Sequence, residues 1–468
     1  MEILSLNGSW TAKQVNARRS VPATVPGCIH TDLLEAGEIP DPFYRTQELD
    51  VYWVAEAEWE YSRQFDVPET LLARDRVLLV CHGLDTLATI RINGKELART
   101  DNMFRRYEFD VKSSLKPGTN TIAVRFASAL NYTIRREQER RLPGWNHNEK
   151  LGYHGWIRKE QCNFGWDWGI RTVTCGIWRE MELCGYDTAR IADVRVAQDH
   201  RGRNRVDLEF DVTAELTTAE HRQRPALRAR VRAERKGTTV AEQTVSFSGH
   251  QAAATLTIRS PELWWPNTMG DQPLYDVHVE LLDNANAELD DWTRRVGLRT
   301  LTLDRHPDQW GESFQFVVNG VPFFAKGANW IPADAYNNRT TPARYRDLVA
   351  GAAAANMNML RVWGGGLYEE DVFYDACDEY GICIWQDFMF ACYAYPADDP
   401  AFVENVKQEA IDNVRRLRHH ASLALWCGNN ELEQGLVGPE WTETTMSWDD
   451  YETLFDRLLP QVVEQYDG

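Results

Sequence analysis

The stretch MNMLRVWGGGLYEEDVFYDACDEYGICIWQDF, residues 357–388, sets the fold of the last third of the chain. An apolar run of strand length ends in three glycines, and an amphipathic helical segment then runs to Tyr380, where Gly381 is expected to close it. A second apolar run follows at once. Because both runs are apolar throughout, we expect both faces of each strand to be covered. The stretch therefore predicts one β/α unit of a parallel sheet.

The same rhythm continues on both sides of this stretch. PFFAKGANW (322–330) looks like a strand, and Thr341-Pro342 is expected to start the next helix. LALWCGNNE (423–431) follows a helix predicted at about 400–419 and precedes a last amphipathic helix. Such units build either an open doubly wound sheet or a (β/α)8 barrel. No nucleotide-binding glycine loop follows any strand, and polar residues gather after each strand, so we favour four units of a TIM barrel.

Before residue 300 the pattern is that of β-strands. LATIRINGKEL (87–97) alternates around Asn93-Gly94, the strongest short-range signal for a β-hairpin. Alternating runs continue from about residue 190 to 300 at the spacing of a β-sandwich. This part of the chain is therefore predicted to be all-β.

Composition excludes several classes of protein. The chain has 468 residues with 51 Lys plus Arg and 70 Asp plus Glu, a net charge of -19 that makes nucleic acid an unsuitable partner. Nine cysteines without a CxxC pair favour free thiols, and we expect a cytoplasmic protein. The amino end lacks a signal-peptide pattern, and no apolar run approaches the roughly 20 residues that cross a bilayer. We therefore expect no membrane partner.

Glu431 is the first candidate for catalysis. The apolar run that ends at Trp426 leads directly into Asn430 and Glu431. A carboxyl group at the mouth of a barrel, in apolar surroundings, would stay protonated near neutral pH and could donate to a leaving-group oxygen. Asn430 beside it could bond a sugar hydroxyl. The alternative is a solvated glutamate near the start of a helix.

Three further stretches suit carbohydrate binding. Trp363 offers a flat ring after its strand, and the glycines behind it would let the backbone approach a ligand. Asp387 ends its strand and could accept from two vicinal hydroxyls, or merely cap a turn. In NFGWDWGI (163–170) two tryptophans bracket Asp167, and rings beside an acid suit a sugar's apolar face and hydroxyls. A buried acid at a sandwich corner is the alternative for Asp167.

The histidines give no metal-binding pattern. The four considered show neither HExxH nor a comparable spacing: His147, His154, His419 and His420. No GxSxG elbow supports a serine triad. We therefore expect no metal and no cofactor.

Several short motifs stand together in a recognisable order. They are FGWDWG (164–169), RVWGGG (361–366), WQDFMFAC (385–392) and GNNE (428–431), with NGSW (7–10) and VPGCIHTDLL (25–34) near the amino end. Over essentially its whole length the chain resembles the β-mannosidases among the family 2 glycoside hydrolases. The double tryptophan favours mannosidases over the related β-galactosidases and β-glucuronidases. One departure is Ile170, which stands where that family usually has proline, and it puts the geometry of this loop in doubt.

The resemblance implies a three-part architecture. A jelly-roll sugar-binding-like β-sandwich is expected over residues 1–186 and an immunoglobulin-like β-sandwich over 187–299. Residues 300–468 are expected to form about the first four β/α units of a (β/α)8 TIM barrel.

The resemblance also implies site residues. Glu431 would be the general acid/base, and Asn430 would contact the sugar's 2-hydroxyl. The other residues implied to bind substrate are Trp363, Asp387, Trp166 and Asp167. The activity implied is that of a retaining exo-β-mannosidase, which removes terminal non-reducing β-D-mannose from β-mannosides or manno-oligosaccharides.

The nucleophile of such an enzyme sits at the end of the seventh barrel strand, and we find no candidate in this chain. Glu433, Glu440 and Glu443 lie too close to Glu431 in sequence to come from a different strand. We therefore expect these 468 residues to be the amino-terminal part of a longer enzyme. A half barrel would otherwise leave two open sheet edges, which folded proteins avoid.

Three other interpretations remain open. One is a non-catalytic carbohydrate-binding protein that kept the sugar loops and lost turnover. Another is a half barrel completed by a second chain, which would make the protein a homodimer. A third is a related family 2 β-glycosidase, such as a β-galactosidase or an exo-β-glucosaminidase.

Overall fold

The computed structural model describes residues 1–144, 153–202, 204–217, 226–437 and 446–467. Two antiparallel sheets come first and share one apolar core. The larger sheet has the order Ser20–Val25, Gly8–Gln14, Trp59–Val67, Gly118–Phe126, Ala88–Ile92, Lys95–Thr100. The smaller sheet has the order Glu2–Ser5, Met181–Tyr186, Arg76–Cys81, Tyr107–Asp110. The chain thus begins with a β-sandwich.

The predicted hairpin at Asn93-Gly94 is confirmed. Ala88–Ile92 pairs with Lys95–Thr100, and the two turn residues have φ of 50° and 80°. Positive φ at both central positions defines the turn whose twist matches the flanking strands. Ile90 and Ile92 point into the core of the sandwich, as their alternation predicts.

A second sandwich follows, also from antiparallel pairs. Its three-stranded sheet has the order Ala189–His200, Arg205–Leu216, Gln251–Arg259. Its four-stranded sheet has the order Thr238–Ser246, Arg228–Arg235, Leu274–Leu282, Glu288–Gly297. A separate apolar core lies between these two sheets.

Short antiparallel strands link this sandwich to the parallel sheet. They are Leu301–Asp304, Gln315–Val318 and Val321–Phe323, with a small hairpin of Pro307–Asp308 and Gly311–Glu312. Phe316 and Phe323 pack in one cluster with Met359 and Cys383, which begin two of the parallel strands. These linking strands therefore cover the amino-terminal end of the parallel sheet.

Four parallel strands then alternate with helices, as predicted. The strands are Gly327–Trp330, Met359–Val362, Cys383–Asp387 and Leu423–Cys427, adjacent in that order. The intervening helices are Pro342–Ala354, Asp371–Tyr380 and Pro400–Leu417. Thr341 Oγ1 accepts from the Arg344 amide at 3.2 Å, and Gly381 ends its helix at a φ of 72°. Both predicted helix boundaries are confirmed.

The prediction of one strand over PFFAKGANW is wrong. The segment holds two strands that belong to different sheets, since Val321–Phe323 is antiparallel and Gly327–Trp330 is parallel. Gly327 marks the change, because a Cβ there would lie 1.6 Å from the Met359 carbonyl oxygen. The hydrophobic pattern of this segment does not indicate that its two halves pair with different sheets.

The remaining helical segments are short. They are the α-helices Ile29–Glu35, Tyr52–Glu56, Glu69–Ala73, Ala129–Glu139, Trp448–Tyr451 and Leu459–Tyr466, the π-helical Glu433–Val437 and Glu452–Leu458, and the 3-10 turns Gln47–Val51, Lys112–Ser114, His154–Trp156, Gln161–Phe164 and Asn337–Arg339. No helix in the described part of the chain has the length and apolarity needed to cross a membrane. All nine cysteines lie in that part as free thiols.

Candidate active site

The carboxyl ends of the four parallel strands lie side by side, and the candidate site is built there. The strand register places four residues at one level of the sheet, because each pairs with the next: Trp330, Val362, Gln386 and Trp426. Residues one or two positions beyond this level therefore come close together. Asp387 is still the last residue of its strand, whereas Asn430 and Glu431 lie in the loop that follows the fourth strand, and a barrel places its binding groups at such strand ends and loops.

Asp387 and Arg361 form the centre of this group. Asp387 is fully buried and accepts from Arg361 Nε at 3.2 Å and from Arg361 Nη2 at 2.7 Å. It also accepts from Trp385 Nε1 at 3.1 Å and from the Gly364 amide at 3.0 Å. Burial raises the pKa of Asp387 to about 6, although Arg361 opposes that rise. A guanidinium that grips a carboxylate with two N–H groups also fixes its own plane.

Protein groups surround the carboxylate of Asp387. Each of its two carboxylate oxygens already accepts two hydrogen bonds from the protein, which is about the full acceptor capacity of the group. The sequence led us to expect hydroxyls of a sugar at this carboxylate. The contacts show that Asp387 also orients Arg361, and its role in substrate binding stays a prediction.

The sequence analysis did not identify Arg361 as a site residue. Arg361 links Asp387 to the side-chain amides of Asn430 and Asn329. Its Nη2 donates to Asn430 Oδ1 at 2.9 Å, and its Nη1 donates to Asn329 Oδ1 at 3.3 Å. The available signal was a lone basic residue inside an apolar strand, with an acid at the end of the next strand. The contact with Asn430 fixes which way that amide points.

Glu431 stands at the solvent side of this group. Asn430 is buried, and its Nδ2 donates to Glu431 Oε2 at 3.2 Å. Glu431 itself is exposed and has a φ of 62°. The apolar surroundings that we expected around Glu431 are therefore not found among the described residues. The neighbouring Glu433 accepts from Tyr451 at 3.4 Å, while Glu440 and Glu443 lie outside the described residues.

The tryptophans of the first sandwich meet the strand ends. Trp166 packs edge-on against Trp363 with ring centroids 4.7 Å apart, and Trp168 does so at 5.7 Å. The Cys162 amide donates to the Gly365 carbonyl at 2.9 Å, which ties the two loops together. The structure thus brings Trp166 and Trp363 together although they are far apart in sequence.

The three rings differ in what they offer a ligand. Trp363 is only 7% exposed, so it presents little of the flat face that we expected to stack on a sugar. Trp168 is 42% exposed and was not singled out from the sequence. Asp167, between the two rings of its loop, is also exposed. Sequence alone treats the two tryptophans alike, and only packing on Trp363 distinguishes them.

The glycines after Trp363 serve the chain's own packing. A Cβ on Gly364 would lie 2.5 Å from the Phe390 carbonyl oxygen. A Cβ on Gly365 would lie 1.9 Å from the Trp363 ring, and one on Gly366 would lie 2.9 Å from Pro332. The close approach that we expected toward a ligand is made toward the protein itself.

Three of the four histidines considered above lie in the described part of the chain, and each of them bonds a protein group. His154 bonds the Ala391 carbonyl at 3.3 Å, His419 bonds the Val194 carbonyl at 3.0 Å, and His147 lies outside the described residues. Across the described ranges one group could hold a metal, made of Asp375, Asp378 and His420. His420 precedes the fourth parallel strand, so this group lies at the opposite end of the sheet from Glu431. The absence of a metal from the site stays a prediction.

Two stretches of the chain match known protein families. Residues 10–179 match the family described as "Glycosyl hydrolase 2 galactose-binding domain-like", and residues 189–299 match "Glycosyl hydrolases family 2". Beta-mannosidase B of Emericella nidulans is 37% identical over 98% of this chain, which spans 55% of that relative. Beta-mannosidase of Bos taurus is 36% identical over 99% of this chain, which spans 54% of it. The chain thus spans about half the length of the curated relatives it matches.

Solved structures agree in fold. A crystal structure of β-D-mannosidase from Dictyoglomus thermophilum has a TM-score of 0.93 and 40% sequence identity, covering 100% of this chain and 57% of that one. The exo-chitosanase CsxA of Amycolatopsis orientalis has a TM-score of 0.72 at 18% identity, covering 92% of this chain and 49% of that one. At that identity the second likeness concerns the fold alone.

Proposed function

Because the chain belongs to glycoside hydrolase family 2, we propose that the protein is a retaining exo-β-mannosidase. It would remove terminal non-reducing β-D-mannose from β-mannosides and manno-oligosaccharides. The observation that carries this proposal is the assembly at the strand ends. A carboxyl group open to solvent lies beside an amide whose orientation is fixed. The tryptophan loop of the first sandwich, residues 163–170, packs against the same strand ends.

In this proposal Glu431 acts as the general acid and then as the general base. It first protonates the leaving-group oxygen and later takes a proton from the attacking water. Its exposure supports the second step, since water must reach it. The reaction also needs a nucleophilic carboxylate about 5 Å away. We assign that role to none of these 468 residues.

Asn430 is proposed to bond the 2-hydroxyl of mannose, and Arg361 and Asp387 are proposed to hold it in place. The chain of contacts from Asp387 through Arg361 to Asn430 supports this assignment. Asn430 would strengthen its bond in the transition state only if its plane were fixed beforehand. Asp387 is therefore a positioning residue in this proposal.

The tryptophan loop is proposed to bound the mannose subsite. Trp166 and Trp363 would form its wall, Trp168 would offer a ring face, and Asp167 would accept from hydroxyls. The exposure of Trp168 and Asp167 supports these roles. Rings and an acid on one rim suit a sugar, which has both apolar faces and polar edges.

We also propose the division into residues 1–186, 187–299 and 300–468, with the last region forming part of a (β/α)8 barrel. The order of two antiparallel sandwiches and then alternating parallel strands and helices supports it. A cytoplasmic location is proposed on the free thiols. A homodimer stays a prediction.

The role of Glu431 is tested with Glu431→Gln in the natural protein. We expect the variant to lose at least about a hundredfold in kcat on mannosides with poor leaving groups, because protonation of the leaving oxygen is lost. Turnover of an activated aryl mannoside should fall in its second step, and added azide should restore it by replacing the activated water. Near-normal rates on the poor leaving group would overturn the assignment.

Substrate class needs its own measurement. The wild type is compared on aryl β-mannoside, β-galactoside and β-glucosaminide. The proposal expects the highest kcat/KM on the mannoside, and faster cleavage of either other sugar would replace it by a sister specificity. Saturable binding of a manno-oligosaccharide without product would select the carbohydrate-binding alternative.

A further inference from the structure

We propose that Cys392 is a positioning residue for Glu431, acting through its thiol. This inference rests on the function proposed for Glu431. The Cys392 Sγ donates to Glu431 Oε2 at 3.4 Å and accepts from Asn430 Nδ2 at 3.2 Å. A thiol can donate one hydrogen bond and accept another, so the Cys392 thiol bridges Glu431 and Asn430.

The backbone holds the thiol at this place. The Phe388 amide donates to the Cys427 carbonyl at 2.8 Å, and the Asn430 amide donates to the Phe390 carbonyl at 2.9 Å. The Cys392 amide then donates to the Asn430 carbonyl at 3.1 Å. These three bonds align the loop after the third parallel strand with the loop after the fourth. The position of Cys392 relative to Glu431 is thus set by main-chain contacts.

The backbone at Cys392 is unfavourable for a residue with a side chain. Its φ is 54°, in the left-handed region that glycine adopts most readily, and Glu431 across the loop has a φ of 62°. Glycine at position 392 would relieve this strain but would remove the thiol. The side chain is therefore the part of this residue that the site uses.

The contacts also explain why a weak donor suits the position. Among the described residues, the hydrogen bonds of Glu431 all meet Oε2, which leaves Oε1 to face the substrate. An acid/base residue must be protonated in one step and ionised in the next. The Asn430 amide already donates to Oε2, and a second donor stronger than the thiol would favour the ionised form further, whereas the thiol orients the group with less preference for charge. Cys392 is fully buried, so its thiol is held on the protein side of the exposed Glu431 carboxylate.

Two substitutions in the natural protein test the inference. Cys392→Ala removes the donor and the acceptor, and we expect kcat on a mannoside with a poor leaving group to fall about tenfold, because misplaced acids lose efficiency. The kcat/KM of a dinitrophenyl mannoside, which reports only the first step and needs no acid there, should fall less than about threefold. Cys392→Ser keeps a donor of the stronger hydroxyl kind. We expect it to stay within about threefold of wild type and to move the alkaline limb of the pH profile to lower pH.

A matched control is available in Cys377→Ala. Cys377 is also fully buried, but it lies on the helix Asp371–Tyr380 and packs in the apolar core. The control should leave the ratio between the two substrates and the pH profile unchanged. If Cys392→Ala slows both substrates equally, or if Cys377→Ala changes the ratio as much, the inference is wrong.

The serine variant keeps the test decisive if the alanine variant does not fold. An alkaline limb that does not move in Cys392→Ser would overturn the inference by itself. Failure of the proposed function would look different, because the wild type would not cleave mannosides or Glu431→Gln would remain active. In that case the inference falls with it.

Discussion

Two buried carboxyl groups near the strand ends differ in how the protein handles their charge. Asp387 is matched by Arg361, and its pKa still rises to about 6 because burial outweighs the ion pair. Within the described ranges, the carboxylate of Glu369 accepts from neutral donors alone, Trp330 Nε1 at 2.7 Å and Tyr345 Oη at 2.6 Å. Burial raises the pKa of Glu369 to about 7. Glu369 is therefore the better residue with which to test how folding stability depends on pH.

We predict that Glu369→Gln flattens part of the dependence of stability on pH. The pKa of Glu369 in the folded protein lies above its ordinary value of 4.5, so the folded state holds the proton longer than the unfolded state. Stability is then lost as pH rises from about 4.5 to 7, by about 3 kcal/mol, and stays at the lower level above pH 7. Glutamine does not ionise, so the variant does not lose this stability as the pH rises.

The measurement is the free energy of unfolding in urea at pH 5 and pH 8. Glu369→Gln should gain stability relative to wild type at pH 8 and little at pH 5. The control is Glu404→Gln on the exposed side of the helix Pro400–Leu417, for which the difference from wild type should be the same at both pH values. A constant difference for Glu369→Gln as well would show that the buried acid does not titrate in this range.

At the scale of elements, the loop of three glycines decides how closely two strand ends approach. We predict that Gly364→Ala destabilises the protein by about 1–3 kcal/mol, since a Cβ would lie 2.5 Å from the Phe390 carbonyl and 2.9 Å from the Phe388 carbonyl. These atoms belong to the backbone and cannot rotate away. The same displacement would move the loop that carries Cys392, so kcat should fall as well.

Gly351→Ala is the opposite case within the same region. Gly351 lies in the helix Pro342–Ala354, and a Cβ there would meet nothing within 4 Å. Alanine should stabilise this helix by up to about 1 kcal/mol. Thermal unfolding of both variants checks the pair, and a neutral Gly364→Ala would mean that the loop has more room than its contacts indicate.

Sequence predicted the elements better than it predicted the contacts between them. The strands and helices around Thr341-Pro342 and Gly381 follow from local signals, and so does the place of Glu431 after its strand. The contacts of Asp387 could not be read in this way, because Arg361 reaches it across strands rather than along the chain. Such pairings are set by register, which the apolar pattern of a strand buried on both faces does not specify.

At the scale of the whole molecule, a buried ion pair joins the first sandwich to the parallel region. Arg158 donates to Glu409 through Nε at 2.8 Å and Nη2 at 2.6 Å, and both side chains are 1% exposed. Glu409 also accepts from Asn102 Nδ2 at 2.9 Å and from Tyr368 Oη at 3.0 Å. Since Glu409 lies on the helix Pro400–Leu417, the pair ties the segment just before the tryptophan loop to this helix.

We predict that Glu409→Gln costs about 3–5 kcal/mol, because it leaves the guanidinium of Arg158 buried without its counter-charge. The loss should appear in urea unfolding followed by tryptophan fluorescence, and KM for mannoside should rise as the loop loosens. Asp449→Asn removes one partner of Arg457 at a side chain that is 85% exposed, and its effect should stay below about 1 kcal/mol. If the two variants cost the same, the ion pair contributes no more than a surface contact, and the position of the tryptophan loop must depend on the apolar cluster around Phe104 and Trp156 instead.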